Sequence, residues 1–223
     1  MASRLVEGVR LPISLGGPAA VEFCNTRAAW ASPTPKEYLQ TYEHVLRWVE
    51  VNDLLAPGTA AALLHVAVEH PAHAARIVPR AVALREALYT VFVGPRELLT
   101  GEVVGTDHAG SFALVGREAE RAMARLRLVP AVDAPARWEL GDSSSHDKSR
   151  LDLPVLAVAR AAADLLTTPA GGTVSACPMP DCGWAFSNPH GRRRWCSMAM
   201  CGNRTKVRRH AASARRSRAD ASS

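Results

Sequence analysis

The sequence predicts a mainly α fold, in which a helical amino-terminal domain with a short β-hairpin is followed by a small cysteine-rich module that ends in a helix. The chain of 223 residues is 48% hydrophobic but only 5% aromatic, so Leu, Val and Ala must build most of its core, and this composition favours helices over strands. Apolar residues also recur at helical spacing in five segments. Four of the five cysteines fall between residues 177 and 201, which marks a separate small module.

Each periodic segment places its apolar side chains on one face and its charges elsewhere. The segments are 37–51, 58–70, 80–93, 115–128 and 154–167. Residues 58–70 lie between Pro57 and Pro71, and Pro154 suits the first turn of the last helix. Such amphipathic stripes pack against one another in a core and indicate no chemistry. Between the last two helices, Leu126–Val132 and Ala136–Leu140 are expected to pair as a hairpin.

Changes in composition divide the chain into four parts. We predict a helical domain over 1–170, a linker over 171–176, the cysteine module over 177–210 and a basic, disordered tail over 211–223. The linker is glycine-rich at its start, and the tail has no apolar stripe with which to pack. With such a linker, the module is expected to unfold separately from the helical domain.

The beginning of the chain lacks the pattern typical of export. The first ten residues contain three charged side chains, Arg4, Glu7 and Arg10, and the following apolar stretch is interrupted at Gly16–Pro18. We therefore expect no cleavable signal peptide. No apolar run of about eighteen residues occurs, so we expect no membrane partner. We therefore expect a cytoplasmic protein, in whose reducing surroundings clustered cysteines hold metal more often than they form disulfides.

Charge is distributed unevenly along the chain. Residues 190–223 carry ten Lys or Arg and one acid, Asp220, whereas the other 189 residues carry 17 basic and 20 acidic side chains. A slightly acidic body with a strongly basic end is expected of a chain with a polyanionic partner such as DNA. The alternative is a solvated tail that only aids solubility.

The cysteines form two Cys-x4-Cys pairs, Cys177 with Cys182 and Cys196 with Cys201. Zn²⁺ favours four tetrahedral thiolates carried in pairs by short turns. The alternatives are two disulfides, four unpaired core cysteines or an iron–sulfur cluster. We favour one structural zinc per chain, because this segment has too few apolar residues to fold without metal. Four protein ligands leave no position for a water molecule, so we do not expect catalytic zinc.

The spacing of the second pair also predicts local structure. Helical residues advance about 100° each, so a five-residue step turns a side chain about 140° away from the first. We therefore expect Cys196 just before a helix and Cys201 in its first turns. Cys24 lies alone in an apolar stretch and is expected in the core.

The residues around the second pair carry a family resemblance. The run Cys196–Lys206, preceded by Gly183–Phe186 and Arg192–Trp195, resembles the CGNR zinc finger. Upstream, Val21–Thr26 and Leu84–Tyr89 resemble the ABATE-type domain that is usually joined to this finger. The resemblance implies a stress-induced transcription regulator of bacteria, and it transfers no activity to any residue of the amino-terminal domain.

The basic residues around the cysteines make DNA the expected partner. If 198–212 is helical, Arg204 and Arg208 share one face, which could enter a major groove or follow the phosphates. Asn203 and Arg204 have donors suited to reading bases, and Asn203 can equally cap the helix or hold a cysteine sulfur. The candidate nucleic-acid-binding residues are Arg192, Arg193, Arg194, Asn203, Arg204, Lys206, Arg208 and Arg209.

Three aromatic side chains, Trp184, Phe186 and Trp195, flank the cysteines. We expect them to form a miniature core over the zinc, because they alternate with the ligands. The alternative is that they stack on unpaired bases.

Together these features favour a bacterial transcription regulator that binds DNA through a structural zinc module with a basic helix. Its helical domain would sense a small-molecule effector or mediate assembly, and a homo-oligomer is compatible with that role. One rival is a zinc-stabilised protein- or RNA-interaction module on a ligand-sensing helical domain. Another is an enzyme with its site in the helical domain, but the sequence shows no convergent polar set there, so we expect no enzymatic activity.

Overall fold

The structure is a computed structural model that describes residues 2–94, 107–131, 134–141 and 147–208. Arg209 and the predicted tail 211–223 lie outside these residues. Helices dominate the described chain, which confirms the mainly α prediction. The α-helices are α1 Ala19–Cys24, α2 Tyr42–Glu50, α3 Thr59–Glu69, α4 Pro71–Val93, α5 His108–Met123 and α6 Leu153–Leu166. There are 3₁₀ turns at Lys148–Asp152 and Pro169–Thr173. A π-helical turn at Met198–Gly202 continues as α-helix over 203–208. Within the described ranges, no helix has the length and apolar character needed to cross a bilayer.

Each of the five periodic segments overlaps a helix, α2 to α6, but the ends differ from those predicted. α4 starts earlier, at Pro71, because a proline is tolerated in a first turn, where its missing N–H has no partner to lose. α5 starts after Asp107, whose carboxylate accepts the Gly110 N–H, and it ends where the chain enters a hairpin. α2 starts later because Lys36–Glu37 pair as a strand. The sequence pattern does not predict α1, which is short and almost entirely buried.

Among the described residues, the strands form four two-stranded antiparallel sheets. They are β1 Ser3–Val6 with β2 Val9–Pro12, β3 Arg27–Ala28 with β4 Lys36–Glu37, β5 Leu126–Ala131 with β6 Ala134–Leu140, and β7 Val174–Ala176 with β8 Ala185–Ser187. The β5–β6 sheet confirms the predicted hairpin, with Leu128 opposite Trp138. Its register shifts around Pro130, since proline cannot donate a ladder hydrogen bond. The pattern does not predict the other three sheets, whose strands are too short to show a period.

The core of the helical domain lies where α6 packs against α1, α4 and α5. Leu84 and Leu88 of α4 and Val158 of α6 are fully buried there. Cys24 is also a fully buried member of this core, as predicted, and burial raises the pKa of its thiol. It therefore acts as a small apolar packing residue.

A buried arginine fixes the β3–β4 hairpin to α4. Arg85 is only 1% exposed, and its guanidinium bonds Glu37 of β4 at 2.6 Å and Glu86 at 2.8 Å. Glu86 also pairs with Arg27 of β3 at 3.1 Å. Because a buried guanidinium without partners is very unfavourable, these contacts hold β3–β4 in one position. The hairpin forms part of the surface on which the cysteine module rests.

Candidate metal centre and basic segment

The first cysteine pair is positioned by the β7–β8 sheet and the turn between its strands. Cys177 follows β7 directly, and its N–H donates to Trp184 O at 2.8 Å. Cys182 closes a tight turn in which its N–H donates to Met179 O at 2.9 Å. Both sulfurs are thus placed by backbone hydrogen bonds of the same small sheet.

The second pair is positioned by the start of the last helix. Cys196 lies just before this helix and Cys201 lies in its first turn, as the spacing predicts. The Gly202 N–H donates to Ser197 O, five residues back, which makes the turn π-helical and therefore wider than an α-helical turn.

The four sulfurs meet at one point. All lie within 4.8 Å of one another, and all four cysteines are fully buried. Cys196 Sγ lies 3.5 Å from Cys182 Sγ and 3.5 Å from Cys201 Sγ. Four Zn–S bonds of about 2.3 Å in a tetrahedron place sulfurs about 3.8 Å apart, whereas a disulfide needs about 2.0 Å. None of the five cysteines forms a disulfide. The cluster is a site for one structural zinc, as the spacing predicts.

Crowding in the cluster shifts the pKa values of Cys177 and Cys182 in opposite directions. Hydrogen bonds from Cys182 and Cys196 lower the pKa of Cys177, whereas the hydrogen bond with Cys177 raises the pKa of Cys182. Thiolates this close repel one another strongly in a buried site. A dication removes the conflict, since it allows all four sulfurs to ionise together.

Arg204 supports one zinc ligand from outside the sulfur cluster. Its Nη2 donates to Cys201 Sγ at 3.2 Å, and its Nη1 bonds Asp181 Oδ2 at 2.6 Å. The hydrogen bond with Cys201 raises the pKa of Arg204. Contacts of this kind orient a ligand and increase metal affinity. The Arg204 guanidinium is therefore engaged by the metal site.

Arg193 braces the loop between the two cysteine pairs. Its guanidinium lies over the Phe186 ring, 4.8 Å from the centroid, and donates to the backbone carbonyls of Trp195, at 3.1 Å, and Cys196. Its backbone N–H donates to Asn188 Oδ1 at 3.0 Å. Arg193 thus links the two halves of the module.

The other predicted nucleic-acid-binding residues are exposed where the structure describes them. Arg192, Arg194 and Lys206 have no ion-pair partner among the described residues. Arg208 is exposed and lies 3.9 Å from the Asp181 carboxylate. Arg192 and Arg194 lie on the loop between the cysteine pairs, and Lys206 and Arg208 lie on the last helix. Arg209 is outside the described residues. The exposed Asn203 side chain lies 3.5 Å from Ala199 O, at the end of the π-helical turn.

Two known families match the chain. The CGNR zinc finger matches residues 174–216, and the ABATE family, described as "Putative stress-induced transcription regulator", matches residues 17–169, more than half of the chain. The chain belongs to the ABATE family. Both resemblances predicted from the sequence are confirmed, in the same order along the chain. A search among curated proteins finds no match.

In this ABATE-family chain the zinc module is docked on the helical domain through direct hydrogen bonds. The Asn25 side chain, just after α1, exchanges two hydrogen bonds with the backbone of Ala185 in β8, at 2.8 and 3.0 Å. The Trp184 indole N–H donates to Arg27 O at 3.1 Å. The residues that these contacts join are 160 and 157 positions apart in the sequence, so the contacts connect the two ends of the chain's described fold.

A second group of contacts joins α4 to the first cysteine turn. The Tyr89 hydroxyl donates to Gly183 O at 2.7 Å. Trp30 stacks on the Tyr89 ring with centroids 3.7 Å apart, and the backbone N–H of Trp30 donates to Cys182 O at 3.3 Å. A zinc ligand is therefore bonded directly to the helical domain.

The two parts also share a buried cluster. Trp184 and Phe186 are fully buried beside the four cysteines, which confirms the miniature core predicted for them, whereas Trp195 is only half-buried. Ala28 and Tyr38, from the β3–β4 region of the helical domain, belong to the same cluster. The core over the zinc therefore contains side chains from both parts of the chain.

Residues 171–176, predicted as a linker, form regular structure instead. The 3₁₀ turn Pro169–Thr173 follows α6 closely, and β7 pairs with β8 within the module. Gly171 is buried, and a Cβ at this position would lie 2.9 Å from Leu165 O. This glycine thus permits close packing rather than flexibility, and the structure differs from the separate module that a flexible linker predicts.

Sequence reasoning misses the docking residues Asn25 and Tyr89. Both lie in the segments that carry the ABATE resemblance, Val21–Thr26 and Leu84–Tyr89. An apolar stripe explains why these segments are buried, but it does not explain a buried asparagine. Because buried polar groups need partners, the asparagine inside an apolar run is the signal that a second element packs there.

Gly183→Ala is expected to disrupt this docking. Gly183 has φ +69°, and a Cβ there would lie 2.7 Å from Trp30 Cβ. Left-handed backbone strain and the clash together should lower the free energy of unfolding by about 3 kcal/mol, measured by denaturant titration. The matched control, Gly172→Ala, adds a methyl group at an exposed glycine with open space around it and should change stability by less than about 1 kcal/mol. Equal stability of the two variants would contradict the docked arrangement.

Proposed function

We propose that the protein is a cytoplasmic transcription regulator that binds DNA through exposed cations of its zinc module. The observation that carries this proposal is that the side chains of Arg192, Arg194, Lys206 and Arg208 are exposed and, within the described part of the chain, make no hydrogen bond to the zinc-site loop or to a zinc ligand, whereas those of Arg193 and Arg204 do. Contacts to phosphate need only positive charge held at fixed positions. The zinc and the docking contacts supply the fixed positions.

Two further observations support a polyanionic partner in a regulatory setting. The family description names a transcription regulator. Residues 190–223 carry ten basic side chains and one acid on an otherwise slightly acidic chain, and such an asymmetry raises the rate and strength of association with nucleic acid. A regulator of transcription acts where the bacterial chromosome lies, which is the reason for the cytoplasmic location.

The predicted nucleic-acid-binding residues then divide by role. Arg193 and Arg204 hold the loop and a zinc ligand, so we assign them to positioning. The exposed cations are assigned to phosphate contacts, which set affinity but carry no sequence information. Asn203 is exposed at the start of the α-helical segment 203–208, so it is the candidate for reading a base edge.

The helical domain, in this proposal, senses a small molecule or mediates assembly and catalyses no reaction. A cleft of about 360 Å³ opens between α6, β6 and the turn after α2. Four of the five charged side chains that line it pair with one another, Arg160 with Asp164 at 2.8 Å and Arg137 with Glu139. Charges paired in this way can hold a ligand but provide no activated nucleophile or base. Specific turnover of a small molecule by the full chain would contradict this part.

Binding of the zinc-loaded full chain to duplex DNA of random sequence tests the main proposal. At low salt we expect binding in the micromolar range or tighter, measured by fluorescence anisotropy. The double variant Arg192→Ala/Arg194→Ala should bind at least about tenfold more weakly, because two phosphate contacts are lost. The matched control, Arg76→Ala/Arg117→Ala, removes the same charge from exposed positions on α4 and α5 and should bind like the unaltered protein.

If the zinc-loaded protein does not bind duplex DNA even at low salt, the DNA proposal is wrong. Binding of structured RNA under the same conditions would then favour the RNA alternative, and binding of neither would favour a protein partner. If both double variants lose affinity equally, net charge rather than the zinc module accounts for the binding.

A further inference from the structure

A cavity beside the zinc site combines cationic and apolar walls. It measures about 300 Å³ and is lined by Arg192, Arg193, Arg194, Trp195, Ser197 and Met198. No acidic side chain lines it. A volume of about 300 Å³ is at the lower end of the range for small-molecule sites. The cavity can therefore accommodate one flat ring with a neighbouring phosphate.

The apolar wall is formed by two side chains that meet over a glycine. A Cβ on Gly202 would lie 2.6 Å from Met198 Sδ and 3.3 Å from Trp195 Cδ1, so the missing side chain allows both to pack there. Met198 nevertheless remains 54% exposed, and Trp195 is half-buried. Phosphate binding by itself requires no such surface, since phosphate contacts are polar and charged.

We propose that this cavity binds an unpaired nucleobase, with its phosphate held by Arg192 or Arg194. This inference rests on the proposed nucleic-acid function and deepens it, because it adds a base-stacking position to the phosphate contacts. The half-buried Trp195 indole and the Met198 thioether provide the surface on which a base lies. Stacking of this kind depends little on base identity, because every base has an apolar face.

Arg193 keeps the wall in place. Its contacts with the Phe186 ring and with the carbonyls of Trp195 and Cys196 fix the loop backbone beside the cavity. The zinc holds the same end of the loop through Cys196. The site is therefore preorganised, which reduces the entropy lost when a ligand binds. Trp184 and Phe186 are fully buried and cannot take this role.

Three oligonucleotides with equal numbers of phosphates test the inference on the zinc-loaded full chain: a single strand, an abasic strand and a duplex. Anisotropy titrations should show that the single strand binds about tenfold more tightly than the abasic strand, which is within the range for stacking one base. Met198→Ser should clearly reduce this preference, because one of the two apolar walls is lost, without changing zinc content or binding of the abasic strand. Trp195→Phe should retain it, because an aromatic face remains.

The matched control is Val207→Ser, which replaces another exposed apolar side chain of the last helix, outside the cavity, and should leave the preference unchanged. Equal binding of the single and abasic strands, with the duplex still bound, would overturn the base site and leave the DNA proposal standing. A preference that Met198→Ser leaves unchanged would also overturn it. If no oligonucleotide binds and an acidic peptide does, both the base site and the proposed function are wrong.

Discussion

Removal of the zinc is expected to destabilise the whole chain and not only the cysteine module. The metal site, the shared buried cluster and the docking hydrogen bonds form one continuous region, in which Cys182, Trp184 and Ala185 contact the helical domain directly. Structural zinc contributes roughly 10–16 kcal/mol in small isolated modules. If about 4 kcal/mol of this is coupled to the helical domain, the main unfolding transition should fall by about 10 °C. Calorimetry before and after chelation measures this.

Cys201→Ser makes the same test without a chelator. Metal analysis should give one zinc per unaltered chain and clearly less for the variant, whose transition should move down with that of the metal-free protein. Cys24→Ala is the matched control, because it removes another fully buried thiol that lies outside the metal site. It should retain one zinc and lose only about 1 kcal/mol. If the protein instead showed two separate unfolding transitions, and zinc did not affect the upper one, the module would unfold independently, as the linker prediction implies. The docked arrangement would then be contradicted.

The metal site could be predicted from the sequence because its chemistry depends on few residues at fixed spacing. Four thiols in two short-range pairs can reach one ion by local turns alone, and the five-residue step already places Cys196 before the helix and Cys201 within it. The arrangement of the second pair required no knowledge of the rest of the chain. For the same reason, the five amphipathic helices of the large domain follow from local periodicity.

The docking of the two parts could not be predicted in this way. It depends on contacts between residues far apart in the sequence, such as Asn25 with Ala185 and Tyr89 with Gly183. The local composition predicts the opposite, a flexible linker, because it contains Gly171. In the structure this glycine allows close packing against α6. Glycine is ambiguous in a sequence, since it suits both flexibility and close approach.

The roles of the arginines show the same limit. Counting charge predicts seven basic residues around the metal and treats them as equal. The structure separates them by their contacts, because Arg193 and Arg204 are bonded to the zinc-site loop and ligand, whereas Arg192 and Arg194 have no ion-pair partner among the described residues. Charge alone thus predicts the kind of partner, and geometry is needed to assign each cation to binding or to support.

The affinity for duplex DNA is expected to fall steeply with salt if the exposed cations contact phosphates. Four contacts, from Arg192, Arg194, Lys206 and Arg208, give a slope of about −4 in a plot of log affinity against log salt. Raising the salt from about 50 to 200 mM should then weaken binding roughly 200-fold, because each neutralised phosphate releases a condensed counterion. Anisotropy titrations at several salt concentrations measure the slope. A slope near zero would contradict phosphate contacts by this module.

Two arginines four residues apart on the last helix should respond differently to the same substitution. Arg208→Ala should flatten the salt slope by about one unit while one zinc per chain is retained. Arg204→Ala should instead weaken zinc binding by about 10- to 100-fold in a chelator competition, because the hydrogen bond to Cys201 Sγ and the pair with Asp181 are both lost. If Arg204→Ala retained its zinc and flattened the slope by one unit, Arg204 would be a phosphate contact. The division between supporting and binding arginines would then be wrong at that position.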